Sequence, residues 1–282
     1  AMFTGQNTYD FSKGDAIVAY AKANGFRVHG HALVWHASIP NWLKNFTGTN
    51  AEFEAQVKGY IKATVAHFAL AKTTDGKPVV ASWDVVNEAF TSEALAGPFY
   101  AKLGPDYVAK CFTWAKEANS EVKLFYNDYN LDSQTSKVNS VVDMVADFKK
   151  RAIPIDGIGS QMHIGYSYPD LTTITNALSP LVGTGLLIHF SELDMSVNRD
   201  LLLTSFTAER SNAQKEKYKS IAILYKTIPS AQRFGITFWG VRDNDSWLRG
   251  WPVVTEYEWP LLFDSNYGRK AAYTGFLEGL NK

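Results

Sequence analysis

The sequence predicts an α/β fold of the (β/α)8 TIM-barrel type, with about six of the eight strands present in 282 residues. Three observations carry that reading. Apolar runs of strand length alternate with amphipathic segments of roughly 10–20 residues, the pattern of a parallel sheet joined by crossover helices. The runs are apolar at successive rather than alternate positions, as strands covered on both faces require. Polar and aromatic residues gather where each run ends, the face on which such barrels carry their functional groups.

Taken in order, the segment KGDAIVAYAKANG (13–25) predicts a helix and FRVHGHALVW (26–35) the first strand. A long amphipathic helix over 51–72 leads to VVASWDVVN (79–87), and a helix over 104–119 leads to VKLFYNDY (122–129). A helix over 133–152 then precedes IDGIGSQMH (155–163), which is followed by LLIHFSELD (186–194). A helix over 210–228, the strand FGITFWGV (234–241) and a helix over 269–282 complete the chain. No short repeat, low-complexity tract or Pro/Ser linker interrupts this order, so residues 1–282 are expected to form one N-terminally incomplete domain. The first element is read as a helix, so the missing strand–helix–strand belongs ahead of it. Six parallel strands do not close a barrel built on eight. The runs 26–35 and 234–241 should therefore have unpaired outer edges with apolar residues exposed beside them, and the chain should be stable only with a preceding segment or as an oligomer.

Composition narrows the partners. Lys plus Arg and Asp plus Glu both number 28, which argues against nucleic acid and suits a neutral polymer. A single cysteine, Cys111, excludes an internal disulfide and a cysteine-based zinc site, and reads as a core thiol on a helix. No apolar run has the length of a membrane span. No leader peptide is visible, and a chain that opens Ala1-Met2 says little about export.

The chemistry is concentrated in two glutamates at strand ends, Glu88 in WDVVNEA and Glu192 in HFSELD. Either alone reads as a strand-end salt bridge or cap. Together they suggest the paired carboxylates that cleave glycosidic bonds. Their company strengthens the reading: His31, Trp35 and His36; Asn87; Asn127, Asp128, Tyr129 and Asn130; Gln161 and His163; Asp194; Trp239, Arg242 and Asp243. Eight tryptophans add flat apolar surfaces of the kind that sugar rings stack on. Trp42, Trp83 and Trp114 fall on apolar faces and read as core. The stretch WPVVTEYEWP (251–260) is an unexpected aromatic loop, either a specificity element or packing over the rim.

HGHALVWH, WDVVNEA, YNDYN, GIGSQMH, SELD, GITFWGVRDNDSW and PLLFD resemble, in order, the signature blocks of the glycoside hydrolase family 10 endo-β-1,4-xylanases, from about residue 11 to the end. The resemblance implies a retaining mechanism acting on xylan or xylo-oligosaccharides, without a cofactor or metal. It assigns Glu88 as acid/base and Glu192 as nucleophile, with His163 hydrogen-bonded to the nucleophile and Asp194 orienting that histidine. In retaining enzymes the two carboxyls lie about 5–5.5 Å apart. It makes His31, Trp35, His36, Asn87, Asn127, Tyr129, Gln161, Trp239 and Trp247 substrate contacts, Asn87 at the sugar 2-hydroxyl. It also implies a secreted, cell-surface or periplasmic location. The pattern departs at Ser38, where the family carries Gln, and in lacking a Glu-Asn-x-x-Lys-like block. Some members carry a carbohydrate-binding module inserted ahead of the point where this chain begins, which makes a preceding segment or such a module of the same precursor an expected partner. Another retaining barrel glycosidase, such as a β-glucanase, or an impaired carbohydrate-binding fragment are the rival readings.

Overall fold

The structure is a computed structural model and describes residues 2–282. Two compact units divide the chain, one running to Asp128 and including Asp143–Gly157, the other comprising Tyr129–Val142 and Ile158–Lys282.

The first unit opens on a hairpin, β1 (Phe3–Gly5) with β2 (Thr8–Tyr9), ahead of helix α1 (Ser12–Ala23). The sequence reading placed the helix first, because strands of three and two residues are too short to register as a period. Aromatic packing holds the hairpin: Phe3 stacks on Tyr60 with centroids 4.7 Å apart and meets Trp42 edge-on at 4.7 Å. Trp42, expected in the core, is half-buried and donates from Nε1 to the Phe3 carbonyl at 3.2 Å. Trp83 and Trp114 are buried.

The run 26–35, expected as one strand, is two: β3 (Val28–Gly30) and β4 (Val34–Trp35), both parallel to β5 (Val80–Asn87). Gly30 lies opposite Trp83 and Val34 opposite Val86. One strand therefore spends a residue more than the other over that interval, and the pairing is interrupted between Gly30 and Val34, where the Leu33 amide still donates to the Asp84 carbonyl at 3.0 Å. Gly30 is required there, since a Cβ would sit 2.1 Å from the Trp83 ring. Short α2 (Asn41–Lys44) is followed by α3 (Asn50–Ala69), which begins in a capping box: the Glu52 amide donates to Thr49 Oγ1 and the Thr49 amide to Glu52 Oε2. Phe53, Val57, Tyr60, Ile61, Thr64, Val65 and Phe68 form its buried stripe, spaced three and four apart. All eight residues of β5 are buried. After it come α4 (Ser92–Leu95), α5 (Pro98–Leu103), α6 (Tyr107–Ala118) and β6 (Lys123–Asp128), which pairs parallel with β5. Helix α7 (Thr135–Lys150) contributes residues to both units.

The second unit contains β7 (Gly157–Ser160) from Ile158 onward, β8 (His163–Gly165), α8 (Leu171–Gly183), β9 (Leu187–Ser196), α9 (Ala208–Thr227), β10 (Arg233–Phe238) and α10 (Ala271–Leu280). Strand β9 lies between β7 and β10, with β8 beside its C-terminal half, His163 opposite Asp194. Sequence periodicity did not reveal α8. Threonines and an internal Pro180 depress its propensity, and Asp170 supplies the missing start signal by accepting from the Thr173 amide at 2.7 Å.

Counting β3 with β4 and β7 with β8, the chain has the six strand positions expected. The first and last are the least buried. Val28 and His29 are half-buried, and Phe26, just ahead of β3, is 57% exposed. In β10, Arg233 and Thr237 are exposed and the other residues half-buried, whereas nine of the ten residues of β9 are buried.

Candidate active site

Each unit presents one of the two expected glutamates on a fully or nearly fully buried strand, Glu88 directly after β5 and Glu192 within the C-terminal half of β9 rather than at its end. In the first unit, β5 ends at Asn87 and Glu88 follows with φ of 57°, a left-handed conformation costly for a residue with a long side chain. The position is held from several sides. The Glu88 amide donates to the Asn127 carbonyl at 2.9 Å, and the Ala89 amide donates to Tyr126 Oη at 2.9 Å. Tyr126 Oη in turn donates to Asp128 at 2.5 Å. Trp35, at the end of β4, donates from Nε1 to Glu88 Oε2 at 2.8 Å, so one carboxylate oxygen has a fixed direction. Asn127 Nδ2 donates to Asn87 Oδ1 at 2.9 Å, which defines the donor end of the Asn87 amide.

His31 belongs to the same unit, and its ring centroid is 6.2 Å from that of Trp35. The His36 ring lies edge-on to Trp35 at 6.5 Å. Sequence reasoning missed what holds His31. Asp84, inside β5 and 1% exposed, accepts from His31 Nδ1 at 2.9 Å, while His29 Nε2 lies 3.0 Å from its other oxygen. Burial alone would raise the Asp84 carboxyl, but the two imidazoles outweigh it and hold the group well below the ordinary carboxylate range. The signal was present: a carboxylate within an otherwise apolar strand, and histidines two apart in HGH, hence on one strand face.

In the second unit, β9 places Glu192 and Asp194 two residues apart on one face. His163 bridges them, with Nε2 3.2 Å from Glu192 Oε2 and Nδ1 2.9 Å from Asp194 Oδ1. Burial of the ring would lower its pKa; the hydrogen bonds and charges of Asp194 and Glu192 reverse that and raise it to about 10. The ring is therefore imidazolium at neutral pH and donates from both nitrogens. Trp247 Nε1 donates to the second oxygen of Asp194 at 2.7 Å. Trp239 and Trp247 lie edge-on to His163, with centroids 6.4 and 5.0 Å away. The Glu192 amide donates to the buried Gln161 carbonyl at 3.0 Å. Tyr129 lies beneath Lys137, whose Nζ is 3.3 Å from the ring centroid and which donates to the Tyr129 carbonyl.

Asp243, among the strand-end residues, has a different task. It accepts from Lys270 Nζ at 3.1 Å and from the Leu261 amide at 2.8 Å, and Lys270 also donates to the Trp259 and Leu261 carbonyls. This buried pair fastens the 251–260 loop. Glu258, which the sequence did not single out, fastens it again: its carboxylate accepts from Ser196 Oγ and the Val197 and Asn198 amides.

One unit thus holds a carboxylate fixed by an indole, and the other a carboxylate backed by an imidazolium and an aspartate, each carried by a strand of a parallel α/β sheet. Residues 1–279 match the sequence profile of Glycosyl hydrolase family 10. Endo-beta-1,4-xylanase Xyn10C of Cellvibrio japonicus is 38% identical over 98% of this chain and 48% of its own length. A beta-1,4-xylanase of Dictyoglomus thermophilum is 36% identical over 94% of this chain and 74% of its own. The solved structure of native xylanase10C from Cellvibrio japonicus matches with a TM-score of 0.91 at 36% identity, covering 100% of this chain and 62% of that one. The same protein has been solved as a mutant in complex with xylopentaose, and that structure matches with a TM-score of 0.90 at 36% identity, covering 98% of this chain and 58% of that one.

The chain belongs to Glycosyl hydrolase family 10, and its fold class is the (β/α)8 barrel with about six of the strands present. It spans about half the length of the Cellvibrio japonicus relative. Among the described residues no helix is long and apolar enough to cross a membrane.

Proposed function

We propose that this chain is a single catalytic domain, residues 1–282, that hydrolyses internal β-1,4-xylosidic bonds of xylan with retention of configuration. Glu192 attacks the anomeric carbon while Glu88 gives its proton to the leaving oxygen, and a covalent glycosyl-enzyme forms. Glu88, now a carboxylate, takes a proton from water; the water oxygen attacks the anomeric carbon and the Glu192 carboxylate leaves.

The observation that carries this reading is the relay beneath Glu192. An imidazolium held by Asp194 and Trp247 donates to Glu192 Oε2. It aims the nucleophile in the first step and stabilises it as a leaving group in the second. For Glu88, the Trp35 bond and the left-handed backbone at φ of 57° support a fixed acid/base. His31, Trp35, His36, Asn87, Asn127, Tyr129, Gln161, Trp239 and Trp247 form the sugar contacts of this reading, with Asn87 directed to the 2-hydroxyl. A polymer of this kind is met outside the cell, so the reading carries an exported location.

The test is release of reducing ends from xylan by this chain, with cellulose run beside it. Release from xylan in excess over cellulose is expected; equal or greater release from cellulose makes the chain a glucanase. Sugar binding with no release from either polymer makes it a binding fragment.

A further inference from the structure

The 251–260 loop has no part in the reaction above, yet it is joined to the relay through stacked rings in the second unit. His163 meets Trp247 edge-on at 5.0 Å, Trp247 stacks on Trp251 at 5.2 Å with planes 30° apart, and the Arg199 guanidinium lies 5.1 Å from the centre of the Trp251 ring. Trp251 is 48% exposed, so this column ends at the surface in a cation.

The loop that carries Trp251 is fixed on both flanks. Glu258 is tied to the end of β9 by Ser196 and two backbone amides, Asn198 Nδ2 donates to the Tyr257 carbonyl at 2.7 Å, and the Thr255 amide donates to the Arg249 carbonyl at 2.8 Å. Arg199 and Trp251 line one hollow together with Glu258; Ser196 and Thr255 add hydroxyls and Pro252 and Val253 an apolar wall. The acidic groups close by already have partners. Asp200 pairs with Arg210 at 3.5 Å, and Glu258 is taken up by its amides and Ser196. Among the described residues, the interaction that Arg199 makes is the one with the Trp251 ring.

A guanidinium laid on an anchored indole has given up part of its side-chain freedom before any ligand arrives, and its planar fork matches a carboxylate with two parallel hydrogen bonds. We propose that Arg199, held by Trp251, recognises the carboxylate of a uronic acid side group on the sugar chain. The loop then serves as a specificity element rather than as packing. This inference rests on the xylan reading above and names the decoration that the same substrate would carry.

The test uses xylo-oligosaccharides bearing one glucuronic acid side group, placed at each backbone position in turn, against the undecorated chain of equal length. For at least one isomer the parent protein should have the higher kcat/KM. Arg199→Ala should lower the acidic-to-neutral ratio by about fivefold, as loss of one partly solvated charge-assisted pair implies. Arg199→Lys should lower it less, and Trp251→Ala should also lower it, by releasing the arginine. Raising the ionic strength to about 0.5 M should reduce the parent's ratio toward that of Arg199→Ala. A ratio of one for every isomer in the parent, or a ratio that Arg199→Ala leaves in place, overturns the proposal. If neither chain is turned over, the xylan reading has failed instead, and the preference is measured as binding by titration calorimetry. A preference lost in Arg199→Ala then sustains the proposal; equal affinities or no binding overturn it.

Discussion

At the scale of single residues, the two glutamates differ in what their neighbours allow them to do, and the variants should differ accordingly. Glu192→Gln keeps the shape of the side chain but removes the nucleophile, so hydrolysis should be lost while oligosaccharide binding, followed by calorimetry, survives. Substantial turnover by that variant would remove Glu192 from the mechanism. Glu88→Ala should slow xylan hydrolysis by about 10²–10⁴, the range of general acid–base catalysis. With an aryl xylobioside, whose leaving group needs no proton, it should show a burst followed by a slow phase as the covalent intermediate accumulates. Equal losses on both substrates, with no burst, would contradict the acid/base role. His163 gives a pH signature. Its folded pKa of about 10 lies above the ordinary 6.5, so its stabilisation is fully present below pH 6.5 and is lost as pH rises through 10. Unfolding free energies from urea titrations across that window should fall for the parent by an amount on the order of a few kcal/mol at most, and fall less for His163→Asn; parallel curves would contradict this. Glu88, Glu192 and His163 stand out in the sequence because a carboxylate or imidazole near the end of an apolar run is conspicuous. Asp84 and His29 were passed over although the mid-strand carboxylate and the HGH spacing are visible, because their partnership shows only when β3 brings the histidines beside β5.

At the scale of elements, long periodic segments were read to within a few residues, and the failures have local causes. The break at His31–Leu33 depends on how β3 and β4 register against β5, a tertiary fact that no alternation within 26–35 reports. The helix pair α9 and α10 offers a prediction in which two effects oppose each other. Replacing Gly275 with Ala raises helix propensity by about 1 kcal/mol. Yet its Cβ would lie 2.3 Å from the Lys215 carbonyl oxygen, and Gly279 meets Lys219 in the same way one turn later. A backbone atom cannot step aside as a side chain can, so the helices must separate. Gly275→Ala should therefore destabilise by about 1–3 kcal/mol in denaturant unfolding; a gain in stability would show that the contact is not as close as described. Thr49→Ala, which removes the cap of α3, should cost about 1 kcal/mol by the same assay.

At the scale of the whole molecule, the strand count and the parallel class followed from the alternation of runs, while the two compact units did not, since nothing in composition marks the change at Asp128. The order of the blocks carried the family, because seven short motifs in sequence are far more specific than any one of them. The central claim is that this chain forms a glycosyl-enzyme on one particular carboxylate. It is tested most directly by incubation with a 2-fluoro xylobioside that carries a strongly activated leaving group, followed by digestion and mass spectrometry. Such a reagent needs no acid and stalls at the covalent stage. The account predicts that the mass of one fluoroxylobiosyl unit is added to the peptide containing Glu192, and that the label is absent in Glu192→Gln. Label on a different peptide, or an intact protein that takes up none at saturating reagent, would contradict it.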